Sequence, residues 1–350
     1  MNSRRLAPSL IALLLPLSLR AAVEDGAPPP LPQSEGVAPV EAPAADPVAP
    51  ARRARRAGVV RDDAPGPFGA SIALSGGYDS NIVLLDDEAI ATLDTEEDGA
   101  AIGIDVKGVW RAVNRPDARL NVTLDGELDE YPDQDDRQLA RFGVIVSGLT
   151  KWNGGWSPGG SIGAHRYLLD GEDAADVFTA TATCSRISAD WVAIPAVEVY
   201  AIEYDELDEA SGVLAAARYR HWFLLQPNDS RKRIEAGLRA GAYEADSDAW
   251  SYVTVRPELG VSYRIGAKPQ LGTWDLNLRG HLDWREYGDG EVAGDEIGTE
   301  LLTNIGADVA YWTCRWSALG LYVEYTVRDS DRVDRDYDRW QAGGRISAAW

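Results

Sequence analysis

From Phe68 onward, apolar and polar side chains alternate with a period of two in one segment after another. Phe68, Ala70, Ile72, Leu74 and Tyr78 share one parity, and in the next segment Ile102, Ile104, Val106 and Trp110 oppose Asp105, Lys107 and Arg111. Residues 119 to 129 set Leu120, Val122, Leu124 and Leu128 against Arg119, Asn121, Thr123, Asp125, Glu127 and Asp129. The alternation returns at 142–146, 162–164, 178–182, 219–225, 234–240, 253–261, 274–282, 305–309 and 319–325. In the last segment Trp340, Ala342, Gly344, Ile346, Ala348 and Trp350 oppose Gln341, Gly343, Arg345, Ser347 and Ala349. Around 196–204 both parities carry apolar groups, so the inward face is undecided there. A two-residue period is a strand, because successive side chains point to opposite faces. About 14 such segments, each near the ~10 residues that cross a bilayer at a tilt, predict an all-β fold. The architecture expected is a transmembrane antiparallel up-and-down β-barrel over residues 67–350, with both of its ends on one side of the membrane.

The connections divide in the way this predicts. One set is short and turn-like: Asn114-Arg115-Pro116-Asp117, Asn153-Gly154-Gly155, Gln226-Pro227-Asn228-Asp229 and Gly266-Ala267-Lys268-Pro269. The other is longer and acidic, at 84–98, 205–209, 288–296 and 329–338. Short periplasmic turns opposite longer outer loops are the outer-membrane pattern. Aromatics are expected to form two interfacial rings. Trp110, Trp152, Trp191, Trp222, Trp274, Trp312, Trp316 and Trp350 fall at the turn end, and Tyr78, Tyr131, Tyr167, Tyr204, Tyr243, Tyr287 and Tyr337 at the loop end.

The first residues set the compartment. Arg4 and Arg5 precede an apolar run at 10–17 and small residues at Ala21 and Ala22, the layout of a secretory signal peptide over 1–22. Residues 23–66 are rich in Pro and Ala with almost no large apolar side chains, which predicts a disordered periplasmic linker carrying the positive cluster Arg52-Arg53-Ala54-Arg55-Arg56. The formal net charge of −22 argues against nucleic acid as a partner. With 12 Trp, 14 Tyr and 34 Gly but only 4 Phe, the composition suits a wall that shows apolar groups on alternate positions only. Cys184 and Cys314 are too few for a disulfide framework and are expected as free thiols.

Candidate chemistry lies on the inward parity. Arg119, Asp125, Glu127, Arg218, Arg220, Arg239, Arg256, Glu258, Arg279, Asp283, Glu324 and Arg345 are large, charged and of mixed sign. They line a hydrated pore if they face water, and they stiffen the wall if partners on adjacent strands pair. For the lumen as a whole the expectation is a water-filled passage. Carboxylates spaced by one residue at 86–88, 94–98, 133–136 and 205–209 suit weak calcium binding at the outer loops, and no other cofactor is implied. Of the three His, His281 beside Asp283 lacks a recognisable nucleophile, and no enzyme is expected.

Two resemblances bear on the role. The final strand, apolar on alternate positions and ending on Trp350, resembles the closing strand of bacterial outer-membrane barrels. That resemblance implies an outer-membrane location, lipid and lipopolysaccharide as surroundings, and recognition of Trp350 by the barrel-insertion machinery. The stretch Leu74-Ser75-Gly76-Gly77-Tyr78-Asp79-Ser80-Asn81-Ile82 resembles the barrels of TPR-linked exporters such as the Slam family, although this chain has the Pro/Ala linker where those carry helical repeats. Asp79 and Asn81 are expected to begin a turn there. Three functions follow: a porin-like passage for small hydrophilic solutes, an export barrel for a surface lipoprotein or polysaccharide with a separate periplasmic partner, or a plugged barrel with a structural or surface-recognition role.

Overall fold

The computed structural model describes residues 67–350 apart from 81–97, 116, 133–137, 152–154, 206–207, 267–268, 289–290, 293–294 and 332–335. The expected signal peptide and linker, the acidic runs at 86–88 and 133–136 and most of the run at 94–98, Asn81 and Trp152 lie outside the described residues.

The strands are β1 (Phe68–Asp79), β2 (Gly99–Asn114), β3 (Ala118–Glu130), β4 (Gln138–Thr150), β5 (Trp156–Leu169), β6 (Glu172–Ile187), β7 (Trp191–Tyr204) and β8 (Gly212–Leu224). They continue with β9 (Arg233–Ala245), β10 (Tyr252–Ile265), β11 (Thr273–Tyr287), β14 (Thr299–Trp312), β15 (Ser317–Ser330) and β16 (Tyr337–Ala349). A small ribbon of β12 (Glu291–Val292) and β13 (Asp295–Glu296) sits in the link before β14. The long strands pair antiparallel in chain order, and β1 pairs with β16 from Ser71↔Ala349 to Asp79↔Gln341, closing one barrel of fourteen strands. Trp350 completes the seam: its amide donates to the Ala70 carbonyl at 2.9 Å, and its own carbonyl accepts from the Ala70 amide at 3.0 Å.

The period-two reading holds in every strand. Leu74, Ile104, Leu124, Phe142, Ile162, Phe178, Leu238, Leu259, Leu278, Ile305, Leu321 and Ile346 all point outward and are exposed, a belt of apolar side chains round the barrel. The undecided segment resolves with Glu198, Tyr200, Ile202 and Tyr204 inward and Val197 and Val199 outward.

Three expectations are corrected. Of the seven tyrosines placed on the loop-end ring, only Tyr78 is exposed; Tyr131, Tyr167, Tyr204, Tyr243, Tyr287 and Tyr337 are buried, and on the strands they hold the inward parity. The parity explains it: Tyr287 stands two residues from the inward Arg285, and Tyr243 four from the inward Arg239. Trp222 and Trp312 likewise point into the barrel, against Val192 and Ile194 and against Ala310 and Ala318. Nor are all loop-end links long. Asp170 (φ 54°) and Gly171 (φ 86°) alone join β5 to β6, both left-handed as a tight hairpin requires, whereas the turn-end link 225–232 is longer. Both Cys184 and Cys314 are free thiols.

Candidate functional site

The lumen is organised in two tiers under a roof. The roof is aromatic. Tyr200, Tyr204, Tyr243, Tyr252 and Tyr287 rise from β7, β9, β10 and β11 and pack with Ala210, Trp250 and Ile297, which the loop-end links fold inward. The rings of Tyr243 and Tyr252 lie 5.2 Å apart and those of Tyr252 and Tyr287 5.1 Å. Buried hydroxyls need acceptors, and they find them: Tyr243 donates to the Ala210 carbonyl, and Tyr287 to Glu300 at 3.0 Å. Ile297, wholly buried, anchors the link between β11 and β14 over the mouth.

Directly beneath the roof is a tier of buried, paired charge. Glu198, with no exposed surface, meets Arg218 Nη1 at 3.5 Å and Arg239 Nε at 3.3 Å. Arg218 reaches on to Glu258 at 2.6 Å, which Arg256 also approaches at 3.3 Å. Asp283 accepts from Thr254 at 2.6 Å and from Arg285 at 2.9 Å, and Arg328 meets Glu300 at 2.6 Å. The seam adds Asp79, which accepts from Arg339 Nε and from Gln341 at 2.8 Å. Asp79 therefore does not begin a turn; its side chain is an inward anchor between the first and last strands. On the far wall Arg141 meets Asp125 at 2.9 Å and Glu127 at 3.6 Å, and His165 lies 3.6 Å from Asp125. Opposite charges, on neighbouring strands or two residues apart on one strand, thus neutralise one another among buried groups, where a lone partner is costly.

The turn-end tier is looser. Arg119 is exposed at the rim, and the side chain of Arg279 keeps 37% of its surface while approaching Glu324 at 3.6 Å. Arg220 meets Glu235 at 3.5 Å, Arg264 is hydrogen-bonded to Asp275, and Arg345 faces Asp308 and Asp105. Small residues make room for these long groups: Gly306 lies under Arg279 and Glu324, and Gly320 under Arg345. Among the described residues no three His, Cys, Asp or Glu side chains converge as a metal would need. His281 faces the lumen between Glu258 and Asn304 in register, while Asp283 is held by Arg285 and Thr254.

No family model matches the chain, and no curated protein matches it. Among solved structures, several outer-membrane proteins are similar to it. A bacterial polysaccharide outer membrane secretin is similar at 9% identity and a TM-score of 0.44, covering 82% of this chain and all of the other. CdiB from Acinetobacter baumannii gives 8% and 0.45 over 81% of this chain and 60% of its own, and Pseudomonas putida OprB 8% and 0.45 over 81% and 94%.

All twelve charged residues singled out in the sequence lie on the inward face, but they form separate clusters on different parts of the wall. Glu198, Arg141, Glu300, Arg339 and Asp79 complete those clusters and are not predicted from sequence. Glu198 falls in the segment of undecided parity, where apolar residues on both faces hide it.

Proposed function

We propose that this chain is an outer-membrane β-barrel of a Gram-negative bacterium, a passage for small hydrophilic solutes that rests closed at its loop end. The observation that carries this reading is the pairing of two faces round the barrel, apolar and exposed outside, polar or charged over most of the inside. Water-filled barrels need that combination, and a soluble sandwich has no use for the exposed belt. The roof and the dry tier set the resting state. Charges paired at 2.6–3.6 Å pack that part of the wall beneath the roof, so in this reading solute flow requires the inward links carrying Trp250 and Ile297 to lift.

A second reading, a plugged barrel with a structural or surface-recognition role, is favoured by the same roof. Planar-bilayer conductance of the refolded barrel separates the two. The passage reading expects rare, small openings in the parent and steady conductance in the doubly truncated Tyr252→Ala/Tyr287→Ala variant. If both stay silent while heat-modifiable mobility shows a folded barrel, the lumen is a plug. Export of a larger cargo, implied by the resemblance to Slam-type barrels, rests on the segment 74–82 alone.

A further inference from the structure

The outward surface at the turn end holds a cation that, among the described residues, no carboxylate claims. Across β5, β6, β7 and β8 one row in register reads Trp156, Arg186, Ala193 and His221, all on the outward parity. The Arg186 guanidinium lies 5.5 Å from the Trp156 ring and 5.6 Å from the Trp191 ring. Trp191 in turn stacks on His221 at 5.6 Å, with an interplanar angle of 23°. The Nδ1 atom of His221 is hydrogen-bonded to the Tyr219 hydroxyl at 3.0 Å, which leaves Nε2 for another contact. Ala193, between Arg186 and His221 in register, points outward yet is only 9% exposed.

Among the described residues Arg186 has the two indoles as neighbours and no ion pair. Arg166, also outward but at the loop end, makes the contrast: Asp176 holds it at 2.7 Å and Asp173 at 3.4 Å. The two rims differ in sign as well. At the turn end Arg315 lies 4.2 Å from the Trp316 ring and Lys232 5.8 Å from that of Tyr263, while at the loop end Tyr325 donates to Asp338 at 3.3 Å and Tyr78 donates to Asp98.

Indole faces hold a guanidinium by cation–π attraction and shield its faces from water, but they leave its N–H edge unsatisfied. That edge matches the paired oxygens of a phosphate. Resting on the membrane reading above, we propose that Trp156, Arg186, Trp191 and His221 form a headgroup site for an anionic phospholipid of the turn-side leaflet. Arg186 takes the phosphate, and the acyl chains lie along the exposed Val197 and Val199, which follow Ala193 on the outward face of β7. Near a membrane surface one such cation is worth about fivefold in affinity for anionic lipid.

Native mass spectrometry of the full chain, released from micelles containing equal phosphatidylglycerol and phosphatidylcholine, tests the site. The parent is expected to retain phosphatidylglycerol about fivefold over phosphatidylcholine. Arg186→Gln, an exposed change, abolishes the preference; Arg186→Lys keeps part of it, and Arg166→Gln leaves it intact. Equal retention by the parent and Arg186→Gln overturns the site, as does a parent with no preference. Heat-modifiable mobility and protection from protease in vesicles are read in parallel. A chain that inserts without preference refutes the site alone, and one that never inserts refutes the membrane reading and the site with it.

Discussion

Glu198 is an acid between two arginines with no exposed surface, so its worth is set by what its removal leaves behind. In Glu198→Ala, Arg239 loses its ion-pair partner and is left on the Tyr200 ring at 5.2 Å, while Arg218 keeps Glu258. Leaving a buried cation uncompensated costs about 3–5 kcal/mol, so the urea midpoint of the refolded barrel should fall sharply. Little change in the midpoint would mean that water enters this tier and solvates Arg239. Residues of this kind were legible only where their neighbours alternated cleanly. Arg218, Arg239 and Arg256 sit among outward Ala, Leu and Val and were placed inward from sequence. Glu198 was hidden because Ala196, Tyr200 and Ile202 are as apolar as the lipid-facing Val197 and Val199: the roof packs against itself as a soluble core does, and hydrophobicity cannot separate the two faces there. The tyrosines were misplaced for another reason. Parity already put Tyr287 on the side of Arg285, and the habit of tyrosine for interfaces was given more weight than the count of residues.

Strands were the most readable elements, since one buried face and one lipid face impose the same period on all fourteen. Links were less so, because length and charge say little about backbone sign. Asp170-Gly171 is the shortest loop-end connection, and both of its residues need positive φ. Gly171→Val forces a branched side chain into a left-handed conformation and should destabilise the barrel by about 1–2 kcal/mol, read as a lower urea midpoint. Gly171→Asn should be nearly silent. The link between β8 and β9 offers a pH test. Burial pushes the Asp229 carboxyl up, but hydrogen bonds from the Arg231 side chain at 2.8 Å and amide at 3.2 Å outweigh it, holding the group below its ordinary value of 3.8. A lowered value means that the contact's contribution is fully present above 3.8 and is lost as the pH falls through the folded value. The stability difference between the parent and Asp229→Asn should therefore stay constant at neutral pH and shrink only in strong acid. A difference that shrinks near pH 6 would implicate another group.

At the scale of the molecule the net charge of −22 is distributed unevenly. The lumen holds both signs in near balance and the turn-end rim is basic, so the excess is carried elsewhere, in part by the loop-end surface. There Asp173, Asp176, Glu203, Asp205, Asp208 and Asp246 line one cavity of about 450 Å³ with a single Arg166. Carboxylates crowded in this way repel one another across distances that salt screens. Raising sodium chloride from about 10 mM, where the screening length is ~30 Å, to about 1 M, where it is ~3 Å, should raise the urea midpoint. A fall would mean that surface pairs such as Arg166–Asp176 outweigh the repulsion. Net charge was plain from composition; its segregation was not, because it depends on which side of the wall each residue faces and on which end of the strand it stands.

The seam between β1 and β16 has a consequence in time. Every other pairing in the barrel joins long strands that follow one another in the chain, β11 and β14 with only the small β12–β13 ribbon between them, but the contact of Gln341 with Asp79 spans 262 residues. Closing so long a loop is the slowest and entropically costliest step available to the chain. Until it happens, β1 and β16 are both open sheet edges, able to pair with any strand they meet. During biogenesis the molecule therefore passes through a stage as an unclosed sheet, and whatever delivers it must keep those two edges apart from other chains until they find each other.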